Sequence, residues 1–268
     1  MNHHRRSVHT LALFASLAVL TPSAFAQVFD AVRLYGAAPG NDGGRVGLAV
    51  LAGQEYRGSD ERRTMAAPLI EYQWANGWFA GSTNGIGYNF SGRQDMQYGM
   101  RLTADFGREE SRSQALRGMG DIDTKAELGG FFNYSISREI SLSTSLRYGS
   151  GQDSNGLLVD LGMVYSTELS GDLRLGLGVA ATLANADYMQ SYFGVTAAQA
   201  ARSGYAVYKP GAGLRDVRGN LALTYRITPK VSATAGLSAS MLSGDASDSP
   251  MVRQKSATTG LLALTYGF

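Results

Sequence analysis

Apolar and polar residues alternate with a period of two along several long stretches of this chain, and this alternation limits the folds it can adopt. Residues 98–106 place an apolar side chain at every second position, and residues 126–136 and 140–148 do the same. Side chains of a β-strand point alternately to its two faces, so each stretch predicts a strand with one apolar face. The same rhythm returns at 157–165, 173–183, 217–225 and 231–241. The chain is therefore predicted to be all-β.

Two features favour a membrane-spanning barrel over a soluble β-sandwich. The stretches run for about ten residues or more, which is the length a tilted strand needs to cross the hydrocarbon layer. Aromatic residues also stand near the predicted strand ends, as in the interfacial girdles of barrels. These residues are Trp74, Trp78, Tyr148, Tyr165, Tyr225 and Tyr266. We predict a transmembrane, antiparallel, up-and-down β-barrel.

The C-terminus carries a further sign of a barrel. Phe268, Tyr266, Leu264 and Leu262 occupy alternate positions and share one face of the predicted last strand. This pattern resembles the terminal signature that the barrel-assembly machinery recognises. We therefore assign Tyr266 and Phe268 as an assembly signal.

The strand number is expected to be about twelve, within a range of 10–14. Eleven strands follow from the alternation, and they lie at about 44–54, 65–74, 78–89, 97–107, 124–137, 139–149, 156–167, 172–184, 215–227, 230–242 and 255–268. Barrels of this type have an even number of strands, with both termini in the periplasm, so we add a weaker strand at 28–38. This count puts the Asn76-Gly77 turn on the outer side and makes 185–214 the longest outer loop.

The N-terminus reads as a secretory signal peptide. Arg5 and Arg6 form a positive region, an apolar core of ten residues follows at 11–20, and Ala24-Phe25-Ala26 is a small-x-small cleavage site. We expect residues 1–26 to be removed near Ala26 and residues 27–268 to form the barrel. The expected location is the outer membrane of a Gram-negative bacterium.

The composition of the predicted mature chain excludes several kinds of chemistry. All three histidines lie in the first 26 residues, and the chain has no cysteine. A Ser-His or Cys-His nucleophile pair and a zinc site with nitrogen or sulfur ligands are therefore impossible. Outside the signal peptide, basic and acidic residues number 22 each, so no charge excess indicates nucleic-acid binding. We predict neither enzyme activity nor a cofactor.

Seven charged residues are predicted to face the barrel interior. They are Glu71, Arg101, Asp105, Glu127, Arg147, Asp160 and Arg218. An unpaired buried charge costs several kcal/mol, so these groups must pair or meet water. Their mixed signs on neighbouring strands are compatible with an internal salt-bridge network or with a wet lumen of little charge selectivity.

The long outer loop is predicted to have a structure of its own. Thr196 is a good N-cap for a helix over 197–202, and Gly204 suits its end. A loop of about 30 residues with a helix and many aromatic residues is unlike a flexible tether. We expect it to pack over or into the barrel mouth.

Several loop segments closely resemble the motifs of the MltA-interacting protein (MipA/OmpV) family of outer-membrane proteins, and the resemblance covers about 44–268. The long loop contributes Tyr188, Tyr192, Phe193, Gly194, Val195, Ser203, Gly204, Tyr208, Gly213 and Asp216. The other outer segments contribute Tyr56, Gly58, Ser59, Asp60, Arg108, Arg117, Gly118, Gly120, Asp121, Asp123, Gly244, Asp245, Asp248, Ser249 and Pro250. Gln54-Glu55-Tyr56 departs slightly from the family's more common Pro-acidic-Tyr pattern.

The resemblance implies a function without chemistry. The founding member of the family acts as a scaffold between a membrane-bound lytic transglycosylase and a peptidoglycan synthase. The expected partners are therefore these two enzymes, outer-membrane lipid and, during biogenesis, the barrel-assembly machinery. A passive pore for small solutes is the alternative.

Two local patterns have more than one interpretation. Gly118-Met119-Gly120 is far more typical of a tight turn than of a phosphate cradle, because no strand-turn-helix unit surrounds it. The acidic pairs Asp245 with Asp248, and Asp121 with Asp123, could bind a cation through oxygen atoms. Capping of local backbone amides by their carboxylates is the interpretation we favour.

Overall fold

The computed structural model describes residues 42–268, which form one closed antiparallel β-barrel of twelve strands. The strands are β1 (Gly43–Gln54), β2 (Arg62–Gln73), β3 (Trp78–Gly81), β4 (Gly85–Asn89), β5 (Met96–Asp105), β6 (Lys125–Ser135), β7 (Ile140–Ser150), β8 (Gly156–Ser170), β9 (Leu173–Ala184), β10 (Gly213–Arg226), β11 (Val231–Leu242) and β12 (Ser256–Gly267). Each strand pairs with its neighbours in sequence, and β1 pairs with β12 to close the barrel. The predicted up-and-down barrel is confirmed.

Three short α-helices lie in the outer loops. They are α1 (Ala186–Phe193), α2 (Ala197–Ser203) and α3 (Gly244–Ser247). Within the described part of the chain, no helix has the length and apolar character needed to cross a membrane.

The predicted number of strands is right, but one detail behind it is wrong. The stretch 78–89 forms two short strands, β3 and β4, joined by a turn at 82–84, instead of one long strand. This split supplies the twelfth strand. The strand predicted at 28–38, like the signal peptide at 1–26, lies outside the described residues, and both edges of β1 are already paired, with β2 and β12.

The split also reverses the expected position of the Asn76-Gly77 turn. Gly44 of β1 pairs with Tyr72 of β2, and Gly44 donates its N–H to the carbonyl of Phe268. The turn at 74–77 therefore lies at the same end as Phe268, which is also the end with the short turns. We call this the periplasmic end, so the prediction of an outer Asn76-Gly77 turn is wrong.

The outward face of the barrel carries an apolar belt. Its exposed side chains include Val46, Leu48, Val50, Met100, Leu102, Leu128, Leu146, Val179, Leu221, Leu237, Leu262 and Leu264. Exposure of such side chains around a whole barrel is what a hydrocarbon solvent requires. At the periplasmic end, Tyr72 lies against Trp74 and stacks on Phe268, with ring centroids 4.8 and 6.2 Å apart. These rings form one part of the predicted aromatic girdle.

The inward face divides into two regions. Ala49, Leu51, Leu69 and Leu261, on β1, β2 and β12, pack together as a buried apolar cluster. Buried charged residues on β5 to β8 and β10 occupy the other side of the interior. Toward the periplasmic end, the inward residues are smaller and only half-buried, as at Ser143, Asn220 and Thr224. The barrel is thus filled near its outer end and more open below.

The opposite orientation of neighbouring residues on β10 gives the first test. Leu221→Arg places a charge in the lipid-facing belt and is expected to lower the free energy of unfolding by about 2–4 kcal/mol. Ala222→Arg points into the lumen, beside Gly176 and Gly236, and is expected to cost much less. Urea unfolding in lipid vesicles, followed by tryptophan fluorescence, measures both. Equal costs would contradict the assignment of the two faces.

Candidate functional site

The long outer loop begins with two capped helices at the barrel mouth. Asn185 caps α1 by accepting a hydrogen bond from the Tyr188 N–H. Thr196 and Gln199 form a reciprocal capping box at α2, and Gly204 ends this helix with a left-handed φ of 78°. The predicted helix at 197–202 is confirmed and is one residue longer, whereas α1 was not predicted.

One face of α1 seals the centre of the mouth. Tyr188, Met189, Tyr192 and Phe193 are buried in a cluster that also contains Ile122, Leu158, Ala184 and Ala246. Because these partners belong to two other loops and two strands, α1 is held from several sides. The expectation that the long loop packs over the mouth is confirmed.

Two tyrosines of α1 connect this cluster to charged groups below it. Their rings stack with centroids 4.6 Å apart. The Tyr192 hydroxyl donates to the Asp105 carboxylate at 2.6 Å, and Arg215 Nη1 donates to the Tyr188 hydroxyl at 2.9 Å. Burial, reinforced by the charge of Asp105, raises the pKa of Tyr192, so this hydroxyl stays protonated as a donor.

The other family-like segments join the same structure. The Tyr56 hydroxyl donates to the Met251 carbonyl at 3.0 Å, and burial raises the pKa of Tyr56 to about 12. Ser249 Oγ donates to the Phe193 carbonyl at 2.6 Å, and Arg108 Nη1 donates to the Tyr192 carbonyl at 3.2 Å. Segments far apart in sequence are therefore tied directly to the end of α1. We call this assembly of outer loops the cap, comprising residues 55–61, 106–124, 185–212 and 243–255.

A second apolar cluster lies beside the first. It contains Tyr56, Leu116, Met119, Val195 and Met251, which come from all four segments of the cap. Val195 also forms a β-bridge with Tyr208.

Gly118 and Gly120 form a tight turn around a carboxylate. Both have positive φ values, 86° and 77°, and both donate their N–H groups to Glu110. These hydrogen bonds lower the pKa of Glu110. Gly118 also packs directly under α2, where an added Cβ would lie 2.7 Å from the Ser203 nitrogen. The turn interpretation of this motif is confirmed.

The acidic residues of the outer loops mostly hold backbone or basic groups. Asp245 accepts from the Gly211 N–H and Asp121 from the Glu110 N–H, both at 2.6 Å. Asp248 pairs with Lys255 at 3.1 Å. The hydrogen bonds from Lys255 and from the Ser247 hydroxyl lower the pKa of Asp248. No cluster of three potential metal ligands occurs among residues 42–268.

The remaining motif residues fall into two groups. The first group holds the loops in place. The Gly58 carbonyl accepts the Arg253 N–H, and the hydroxyl groups of Ser59 and Ser203 accept the N–H groups of Glu61 and Tyr205. Three glycines lie at the ends of elements: Gly194 ends α1, Gly213 begins β10 and Gly244 begins α3. Asp60, Arg117 and Asp123 are exposed, and Pro250 is half-buried. The structure therefore brings most of the predicted site residues into the cap and leaves these three charges on its surface.

A ladder of ion pairs crosses the barrel directly below the cap. It runs from Glu127 to Arg147 (3.4 Å), to Asp160 (3.0 Å), to Arg218 (3.3 Å) and to Asp216 (3.5 Å). Asp160 also accepts from the Thr182 hydroxyl at 2.7 Å. At this level, the structure supports the salt-bridge network that sequence analysis offered as one of two alternatives.

The ladder ends at two arginines that sequence analysis did not place in the interior. Asp216 contacts Arg215 at 2.5 Å and Arg57 at 3.8 Å. The register of β10 with β9 shifts between Leu214 and Asp216, so Arg215 and Asp216 both face inward. A bulge breaks the period of two locally, and simple alternation therefore misassigns one of the two residues. The seven charges that were predicted to face inward all do so.

The sequence of residues 46–268 matches the model of the family described as MltA-interacting protein MipA. The chain belongs to this family. Membership of this family and the lipid-facing apolar belt together identify the chain as an outer-membrane barrel. The family match also covers every cap segment described above.

Solved structures share the barrel architecture at low similarity. KdgM porin has a TM-score of 0.46 and 10% identity, over 83% of this chain and 99% of that chain. NanC porin has a TM-score of 0.43 and 11% identity, over 82% and 98%. The outer membrane channel DcaP of Acinetobacter baumannii has a TM-score of 0.40 and 8% identity, over 85% and 96%. At these levels, the likeness has no bearing on what the MipA-family chain binds. No curated protein matches the sequence.

Removing one carboxylate from the ladder tests its contribution to stability. Asp160→Asn leaves Arg147 and Arg218 without their shared counter-charge and is expected to lower the free energy of unfolding by about 3–5 kcal/mol. Asp172→Asn is the control, because Asp172 pairs with Arg226 in an exposed turn. Its expected cost is about 0–1 kcal/mol. Urea titration measures both, and a cost for Asp160→Asn no larger than the control's would refute a structural ladder.

Alanine substitutions at Gly118 and Gly120 distinguish the effect of steric crowding from that of backbone strain. Gly118→Ala is expected to dislodge α2, because its methyl group would collide with the backbone of Arg202 and Ser203. Gly120→Ala carries similar strain at positive φ but meets no atom within 4 Å. Limited proteolysis should therefore cut the long loop faster in Gly118→Ala than in Gly120→Ala. Identical cleavage rates would show that this contact does not hold the cap.

Proposed function

We propose that this chain is a non-enzymatic interaction protein of the outer membrane that binds a lytic transglycosylase on its periplasmic side. The family to which it belongs is named for an interaction with MltA, and that membership is the observation that carries the proposal. The further link to a peptidoglycan synthase, which would make the barrel a scaffold between two wall-remodelling enzymes, belongs to the same proposal.

The arrangement of charged groups supports a role in binding over one in catalysis. The carboxylates and guanidinium groups of the ladder contact one another and lie under the cap, so their shared role is to fill and stiffen the barrel. Neither His nor Cys is available after residue 26 for nucleophilic chemistry. We therefore expect the protein to contribute a surface.

The periplasmic end is the side on which a wall-bound enzyme would meet this surface. The outer end is closed by the cap, whereas the periplasmic turns expose charged side chains such as Arg138, Glu139 and Lys230. The half-open inner lining begins directly behind these turns. A partner from the periplasm would contact the turns first.

Affinity chromatography with matched double variants tests the proposal. The purified barrel is immobilised and exposed to a lytic transglycosylase, and retention of the enzyme is expected. Arg138→Ala with Glu139→Ala removes one base and one acid from a periplasmic turn and should weaken binding by about 1–2 kcal/mol. Asp60→Ala with Arg117→Ala removes the same charges from the cap and should leave binding unchanged. No retention by the unaltered barrel would overturn the proposal.

A passive pore is the second candidate, and one observation favours it. Small polar residues line the periplasmic half of the lumen, where Ser143, Asn220 and Thr224 are only half-buried. The cap and the ladder oppose a continuous path beyond this level. Steady single-channel steps of the purified protein in planar bilayers would favour the pore, and their absence together with enzyme retention would favour the interaction protein.

A further inference from the structure

The barrel wall has a notch in its outer half, between β2 and β5. The β3–β4 hairpin pairs with β2 only at Glu71, Tyr72 and Gln73. Its turn is then fixed to β2 by the Ser82 N–H, which donates to the Ile70 carbonyl at 2.8 Å. Above this point β2 continues to Arg62, and β2 and β5 are not neighbours in the sheet. At the height of the hairpin they lie three strand spacings apart, about 14 Å.

The sides of the notch are strand edges with free backbone groups. Ile70 turns its N–H and carbonyl toward the hairpin, so in an alternating antiparallel ladder Thr64, Ala66 and Pro68 turn theirs the same way. On β5, the Tyr98 carbonyl accepts the N–H of Phe90, which follows β4. By the same alternation, Ala104 turns its N–H and carbonyl toward the β4 side. Among residues 42–268, no hydrogen bond reaches these backbone groups of Thr64, Ala66, Pro68 or Ala104.

The notch lies at the depth of the hydrocarbon layer. Ala66 pairs with Val50 and Pro68 with Leu48, and both partners are exposed members of the lipid-facing belt. Open sheet edges do not occur in contact with lipid, because each unsatisfied backbone group costs several kcal/mol there. Such an edge is tolerated where it lines a wet cavity or meets a polar ligand.

Pro68 argues against a partner strand as the occupant. Proline has no N–H, so a strand added along β2 would lose a ladder bond in the middle of the notch. Proline is a typical residue of edges that stay unpaired. Because Pro68 offers only a carbonyl, acceptors outnumber donors along this edge. A suitable ligand must therefore donate hydrogen bonds as well as accept them, which hydroxyl groups do and a phosphate dianion does not.

We propose that the notch is a wet lateral opening that binds the hydroxyl-rich head of a sugar-headed amphiphile. The ligand's hydrocarbon chain lies in the surrounding membrane, along Ile70 and Leu102, which are exposed at the lower rim. The head pairs with the backbone edges of β2 and β5. Thr83, Asn84 and Glu71 form a polar floor, since Thr83 donates to Glu71 and Asn84 contacts Arg101. This site is independent of the proposed periplasmic partner.

Single cysteines test whether the notch is wet. The chain has no cysteine, so an introduced thiol is unique. Ala66→Cys and Ala104→Cys lie at the notch, and their pairing partners Val50→Cys and Ala126→Cys lie at the same heights on the intact wall. The labelling reagent is a water-soluble maleimide, applied to the variants in phosphatidylethanolamine and phosphatidylglycerol vesicles. It should label the two notch thiols at least about tenfold faster than the two wall thiols, because only a hydrated thiol ionises.

Competition with dodecyl maltoside tests the ligand class. Below the concentration that dissolves the vesicles, it should slow labelling of Ala66→Cys about tenfold, whereas maltose alone should not, because it lacks the chain that concentrates the head at the membrane. Heat-modifiable migration verifies that each variant folds. Equal labelling of all four variants would overturn the opening, as would a disulfide-linked dimer of Ala66→Cys. Labelling that dodecyl maltoside does not slow, or that maltose slows equally, would overturn the amphiphile.

Discussion

Hydrogen bonding of the backbone inside a hydrocarbon solvent is the constraint on which this structure depends. Water is absent from that solvent, so an N–H or carbonyl group of a spanning segment needs a partner within the protein unless it lines a wet cavity, as we propose for the notch. A sheet can meet this demand only by closing on itself, and the pairing of β1 with β12 is that closure. The apolar belt, the aromatic girdle and the polar interior all follow from a closed sheet placed between lipid and lumen.

Most of the fold could be predicted from the sequence because strand alternation is a local property. Long strands such as β6, β7 and β10 lie where the period of two indicates them, and the inward charges follow from the same register. The β3–β4 hairpin was missed because its strands are only four and five residues long. Each is too short for the period of two to define it, so 78–89 was predicted to be a single strand that included the Ser82-Thr83-Asn84 turn. The wrong position of the Asn76-Gly77 turn followed from that single omission.

The cap was predictable only in part. Thr196 and Gly204 carry local signals for the start and end of α2, and these signals need no tertiary information. The contacts of Tyr192 with Asp105 and of Ser249 with Phe193 join residues far apart in sequence, so no local pattern reports them. The family motifs identified most of the residues of the cap, but they did not indicate that these residues pack together. The inward orientation of Arg215 was not predicted, because a bulge interrupts the strand alternation at this position.

The cap also has a consequence for how the protein matures. Its segments begin at residue 55 and end at residue 255, so nearly the whole chain must be in place before they can meet. Contacts of such large sequence separation form late, because the entropy of closing the intervening loops must be overcome first. A barrel that stalls before its first and last strands join would keep its buried tyrosines and methionines uncovered. Completion of the cap therefore distinguishes finished molecules from unfinished ones.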